Sequence, residues 1–255
     1  MPLDFVGQSL ALTTGAMGAA TSALSVNPAE IWTVLYVEAS GCGFLPDRRP
    51  PILFERHIFS GLTNRQFDIS DVSNPQAGGY GLGGANQYLR LANAIHLDRA
   101  AALKSASWGL GQIMGSNFAA AGFPDVESMV AAMTASEDAQ LAAFVSFLQT
   151  NSYTGYLQAH DWPSFARRYN GTNYAINQYH TKLAHTFQKL STGTLPDLDV
   201  RAAQLYLTFA GFKPGTVDGV MGNNTRSALL AYQQQNNLPP TGQPDAATLA
   251  SLAPQ

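Results

Sequence analysis

The chain has 255 residues, 45% of them hydrophobic and only 12% charged, with a net charge of −3 from 14 Lys and Arg against 17 Asp and Glu. Such a composition buries a core and excludes a disordered tail. It also excludes the positive field that nucleic-acid binding requires and the basic amphipathic tail that would attack an anionic membrane.

The first apolar stretch, Phe5 to Val26, has Asp4 where a secretory signal wants Lys or Arg, and Thr, Ser, Gln and Gly interrupt it. No run of about 20 apolar residues occurs anywhere, so neither a signal peptide nor a membrane span is expected and this segment should open the fold as a helix. The strongest helix signal begins at Asn27-Pro28-Ala29-Glu30, with a cap, a proline at the first position and Glu at the third. Ser40-Gly41 should stop that helix. Cys42 is the sole cysteine, so no internal disulfide can form and folding in a reducing compartment is expected. Pro46 to Gly84, rich in Pro, Gly, Asn and Asp, reads as loops and short strands.

Further helices are expected over 86–104, 111–121, 126–151, 162–168 and 175–190. Ser191–Pro196 then breaks the chain as a linker between a larger helical unit, residues 1–190, and a smaller one, residues 197–255. The smaller unit reads as three helices, opened by Asp199, by Asn223-Asn224-Thr225 and by Asp245. Turn-rich segments at Lys213–Gly215, Asp218-Gly219 and Pro239–Gly242 separate them. The fold class is therefore mainly α.

Glu38 is the most informative residue. In the helix from Pro28 the apolar stripe is Ile31, Val34 and Leu35, and Glu38 falls on the same stripe. A carboxylate facing the core loses hydration, and the negative end of the helix dipole opposes its ionisation further. Both effects keep it protonated near neutral pH, the state a glycosidase acid needs to protonate a leaving oxygen. The alternative is a Glu bonded to neighbouring backbone or to an arginine such as Arg56.

Other chemistries are poorly served. The five histidines, His57, His96, His160, His180 and His185, form no HExxH or comparable signature, so no metal and no other cofactor is expected. Cys42 follows a helix C-terminus, where the dipole raises a thiol pKa, whereas nucleophilic cysteines prefer N-termini. Ser9 and Ser116 do not lie in nucleophile-elbow motifs.

The run Ser107–Gly115 (SWGLGQIMG) resembles the Gly-Leu-Met-Gln segment of goose-type lysozymes and lytic transglycosylases, and Arg168–Gly171 (RYNG), with Tyr174 and Tyr179, resembles their Ala-Tyr-Asn element. More closely, Val37–Asp47 (VEASGCGFLPD), Ile52–His57 (ILFERH), Gly78–Gly81 (GGYG) and Leu97–Gly109 resemble a phage-endolysin N-acetylmuramidase family. That resemblance spans nearly all of residues 3–190. It implies a lysozyme-like helical domain with Glu38 as the catalytic acid and Ser107, Gln112, Tyr169 and Asn170 shaping a sugar cleft. Amides suit N-acetyl and hydroxyl groups, and the rings of Trp108, Tyr80 and Tyr169 could stack on pyranose faces or pack in the core. For a second carboxylate Glu55 is favoured over Asp47, Asp68 and Asp71, with an ion pair to Arg56 as its alternative role.

The C-terminal unit resembles the three-helix peptidoglycan-binding module through Val200–Leu207, Gly211-Phe212, Val217–Gly222, Thr225, Ala231–Gln233 and Leu238–Gly242. Asp218, Asn223, Arg226 and Tyr232 are its candidate wall contacts, with turn formation the competing role for Asp218. The combined expectation is an endolysin-type enzyme cutting the β-1,4 bond from N-acetylmuramic acid to N-acetylglucosamine, its only partner peptidoglycan. It should be a monomer made in a host cytoplasm and brought to the wall by a holin or other export agent. A lytic transglycosylase, an injected antibacterial effector and a phage-tail protein with a dead catalytic domain remain alternatives.

Overall fold

The structure, a computed structural model, describes residues 4–68 and 71–254. It is mainly helical, as the sequence predicts, with a small antiparallel sheet. The chain enters extended, Leu10 forming a parallel bridge to Ser136. Helix α1 (Thr14–Leu24) begins only where the Thr13 hydroxyl accepts from the Ala16 amide. The expected helix from Phe5 is shortened because Ser9, Leu10, Leu12 and Thr13 find their backbone partners on the segment Thr134–Asp138, and Ala11 on the Tyr206 hydroxyl, instead.

Helix α2 (Pro28–Ala39) follows the sequence signals closely. The Asn27 amide donates to the Glu30 carboxylate at 3.2 Å, and Ser40 and Gly41 both turn left-handed to close the helix. Glycine is required at position 41, where φ is +74° and a Cβ would sit 2.8 Å from the Tyr36 ring.

The Pro46–Gly84 region contains strand β1 (Ile52–Phe54) and also helix α3 (Arg56–Leu62), too short to show a period in the sequence. The helix expected over 86–104 is two helices, α4 (Gln87–Ile95) and α5 (Arg99–Lys104), because Asp98 leaves the helix and caps α5 through the Ala101 amide. No α-helix forms over 111–121, only a short 3-10 turn at Gly115–Asn117. Strands β2 (Ala106–Trp108) and β3 (Ile113–Met114) form a hairpin there, continuing the sheet in the order β1-β2-β3. Positive φ at Gly109 and Gln112 turns the hairpin and excludes a helix.

Ser136, extended, divides the helix expected over 126–151 into α6 (Val126–Ala135) and α7 (Glu137–Thr150) and caps the second. Then come α8 (Thr154–Gln158), α9 (Trp162–Tyr169) and α10 (Tyr179–Thr192). A left-handed Gln178 delays α10 from the expected Ala175 start. The last three helices are α11 (Leu198–Phe209), α12 (Asn223–Gln235) and α13 (Ala246–Leu252). Asp197, not Asp199, caps α11, accepting from the amides of Asp199 and Val200.

One buried cluster gathers α2, the sheet, α7 and α9 around Trp32, Leu35, Phe54, Trp108, Phe144 and Phe165. A second, built on Leu205, Leu207, Leu229 and Leu252, also takes in Ala11 and Phe44 from the N-terminal unit. Between the two clusters lies a buried ion pair. Glu137 has no exposed surface and Arg201 is 1% exposed. Arg201 pairs with both carboxylate oxygens of Glu137 through Nη1 and Nη2, while the Leu12 and Gly43 amides donate to the same carboxylate at 2.8 and 2.7 Å. Removing one partner of such a pair strands a desolvated charge. Arg201→Met is therefore expected to lower the free energy of unfolding by about 3–5 kcal/mol. Adding Glu137→Gln should recover much of that loss in urea denaturation, because the stranded charge is gone; simple additivity of the two single losses would contradict the coupling.

Candidate active site

Helix α2 runs directly into the loop that leads towards β1, and its last turn carries Glu38. The side chain is half-buried. Asn170, the residue that ends α9, donates Nδ2–H to Glu38 Oε1 at 2.8 Å. Burial pushes the Glu38 pKa from 4.5 up to about 7, against the lowering effects of the Asn170 hydrogen bond and the Lys182 charge. Arg56 is elsewhere, donating Nε–H to the Gln76 carbonyl at 3.1 Å, so it does not neutralise Glu38.

Glu55 sits where β1 runs into α3. Its Oε1 accepts from the Tyr80 hydroxyl at 3.1 Å, and His57 Nδ1 lies 3.1 Å from Oε2 without the alignment of a hydrogen bond. Tyr179, at the start of α10, links the two carboxylates. Its phenol pKa is raised by burial, then by the charges of Glu38 and of Glu55, which puts both acids within electrostatic reach of one ring. The Tyr80 phenol is raised similarly, by burial and by Glu55. Glu38, Glu55, Asn170, Tyr80 and Tyr179 are thus brought to one site. A polar atom there has no protein partner: Asn170 Oδ1, buried beside the acid.

The other cleft candidates hold the walls. Trp108 is fully buried and donates Nε1–H to the Leu103 carbonyl at 3.1 Å, with its ring against Phe5 and Tyr88; it is a core residue, not a sugar platform. Ser107 donates to Gln112 Oε1 at 2.8 Å, and Gln112 Nε2 donates to the carbonyls of Gly109 (2.8 Å) and Pro51 (3.1 Å), so both side chains close the hairpin. Tyr169 stacks on Phe165 at 5.3 Å and donates to the Gly111 carbonyl at 2.5 Å, the packing role of the two the sequence left open.

The N-acetylmuramidase family matches residues 27–191, and a putative peptidoglycan-binding domain matches residues 196–252. The chain belongs to the N-acetylmuramidase family. The muramidase is also similar to a solved structure described as Burkholderia AP3 phage endolysin, with 41% identity, 71% of each chain covered and a TM-score of 0.63. No curated protein sequence matches it.

In the C-terminal unit of the muramidase, a cavity of about 280 Å³ is lined by Gln204, Pro214, Asp218, Asn223 and Thr225 among others. Asp218 and Asn223 therefore meet, but the Asp218 carboxylate is already engaged by Gln204 Nε2 (3.0 Å) and the Val220 amide (2.9 Å), which is turn formation. Arg226 is exposed on α12 outside that lining. Tyr232 is 7% exposed, packs on Phe212 and bonds Ser251, so it serves the bundle core and not the wall. Sequence reasoning had Tyr179 only as part of the motif resemblance, without a place beside the acids, and missed Lys182 altogether. Their spacing on α10 places them on one helix face, a signal that needed the helix start to be known.

Loss of the Asn170 hydrogen bond removes an interaction that favours ionised Glu38. Asn170→Ala should therefore move the alkaline limb of the activity profile to higher pH, while a shift to lower pH would contradict this geometry. The raised pKa also has a sign in stability. The native state holds a proton that the unfolded chain has released, so stability falls as pH rises from about 4.5 to about 7. Glu38→Gln should flatten that slope in thermal melts across the window and gain stability above it, by at most about 3 kcal/mol.

Proposed function

We propose that Glu38 and Glu55 carry the hydrolysis of the β-1,4 bond between N-acetylmuramic acid and N-acetylglucosamine in this endolysin-type peptidoglycan hydrolase. The observation that carries the reading is a Glu38 carboxyl held up to about 7 in a half-buried wall that also feels Glu55 through Tyr179. Around neutrality a large fraction of Glu38 keeps its proton and can deliver it to the glycosidic oxygen as the bond to the anomeric carbon breaks. Glu55 then takes a proton from the attacking water or stabilises the oxocarbenium ion. The free Oδ1 of Asn170 suits an N-acetyl N–H or a sugar hydroxyl next to the acid.

Residues 1–190 form the catalytic unit in this reading, 191–196 the linker and 197–255 the wall-binding unit. Holding the polymer raises the effective concentration of bonds near Glu38 without changing the chemical step. Asp218 and Asn223 line a cavity that suits wall contact, and Arg226 is an exposed cation on α12. The reading extends to a monomer made in a host cytoplasm and passed to the wall by a holin or other export agent; the free Cys42 suits a reducing compartment.

A transglycosylase would need no water-activating group, since the sugar's own 6-hydroxyl attacks. The placement of Glu55 beside the same tyrosine favours hydrolysis. Glu38→Gln is expected to reduce turnover by about 10²–10⁴-fold while leaving wall binding intact. Glu55→Gln should also cut turnover strongly. Mass spectrometry of wild-type digests should give reducing-end muramic acid; anhydro-muramic acid would favour the transglycosylase, and reducing-end glucosamine a different bond.

A further inference from the structure

Glu38 stands where a helix is weakest, in the last turn, whose carbonyls lack intrahelical partners. The C-terminal unit grips that turn at several points. Arg201 donates Nε–H (3.1 Å) and Nη2–H (2.6 Å) to the Gly41 carbonyl, just beyond the helix end. The Tyr36 hydroxyl donates to the Asp218 carbonyl at 3.2 Å. The Arg201 guanidinium also lies over the Trp32 ring, 5.4 Å from its centroid. Trp32 and Tyr36 are one turn apart and so share a face of α2. Glu38 projects to the other side, towards Asn170.

The grip continues around the site. Glu137, paired with Arg201, accepts from the Gly43 amide at 2.7 Å. Gln140 donates to the Gly43 carbonyl at 3.0 Å and accepts from the Leu110 amide at 2.7 Å. The Gly111 carbonyl next to it receives the Tyr169 hydroxyl, and Asn170 follows Tyr169 in the chain. The acid and its amide partner therefore hang from one network that passes through Arg201.

We propose that Arg201 of the C-terminal unit is a positioning residue for Glu38, so that this unit completes the catalytic fold as well as holding the wall. The inference rests on Glu38 being the acid. A guanidinium fork can hold the Gly41 carbonyl and pair with Glu137 together; an ammonium point charge cannot keep both with the same geometry. When the last turn loosens, the Glu38 carboxyl gains water and its alignment with Asn170 is lost.

The test uses full-length Arg201→Lys on short, soluble, peptide-free glycans, with thermal melts to establish that the variant is folded at the assay temperature. The kcat is expected to fall about tenfold with KM within about twofold, because misplacement of a catalytic group costs turnover more than binding. The alkaline limb should move to lower pH, because regained hydration, the larger influence on Glu38, outweighs the weakened Asn170 bond, which alone would move it the other way. Pull-down on insoluble walls should be unchanged. Wild-type kcat and an unmoved alkaline limb in a folded variant overturn the proposal, since a purely structural arginine would lower only the melting temperature. Should Arg201→Lys not fold, Tyr36→Phe leaves the ion pair intact and breaks the link to Asp218. A several-fold fall in kcat with the same pH displacement supports the proposal, and wild-type behaviour overturns it. Glu38→Gln assayed in parallel separates the two ideas. Activity surviving that change removes the acid assignment, whereas an inactive Glu38→Gln beside a wild-type-like Arg201→Lys removes only the positioning role.

Discussion

Burying a carboxylate costs several kcal/mol unless every lone pair finds a donor, and a guanidinium partner must be satisfied as well. Glu137 meets that demand with donors from distant parts of the chain: Arg201 in α11, the Leu12 amide in the N-terminal segment and the Gly43 amide after α2. The order of the fold follows from this. The N-terminal residues stay extended to deliver the Leu12 amide, and Ser136 interrupts α6–α7 so that Glu137 begins a new helix at that point. The chain after Glu38 turns sharply through Ser40 and Gly41 to deliver the Gly43 amide and the Gly41 carbonyl.

The two site carboxylates have different surroundings, and the difference supplies their chemistry. Glu38 is pressed into a helix end with one amide donor, and the loss of water around it outweighs that bond and the nearby Lys182. Glu55 stands at a strand-to-helix junction with a phenol on one oxygen and an imidazole near the other. Tyr179 feels both charges and stays a neutral hydroxyl, available as a donor to whatever sugar oxygen enters.

Much of this was legible in the sequence where a local signal decided the structure. Asn27-Pro28 and Ser40-Gly41 bound α2 because capping and the left-handed turn are local chemistry, and the stripe of Ile31, Val34 and Leu35 was enough to single out Glu38. The helix expected over 111–121 failed because Gly109 and Gln112 take positive φ to close a hairpin whose partner, β1, lies far back in the chain. Trp108 and Tyr232 read as ligand contacts because an aromatic ring beside a motif residue looks the same whether it packs inward or outward. Their burial is a tertiary fact. Arg201 was visible only as part of a family motif; nothing near it in sequence announces a partner on Glu137.

The shared core has a consequence for engineering. Residues 196–252 match a domain that could be taken for a detachable cassette, to be exchanged for another wall-binding segment. Here the cassette carries a counterion and a hydroxyl acceptor belonging to its neighbour, and it covers Ala11 and Phe44 as well. A chimaera joined anywhere in the linker would leave a buried acid and two apolar side chains facing an unrelated surface. Grafts on this scaffold succeed only when the incoming segment reproduces that arginine and the face around it, or when Glu137 and its apolar neighbours are redesigned with the graft.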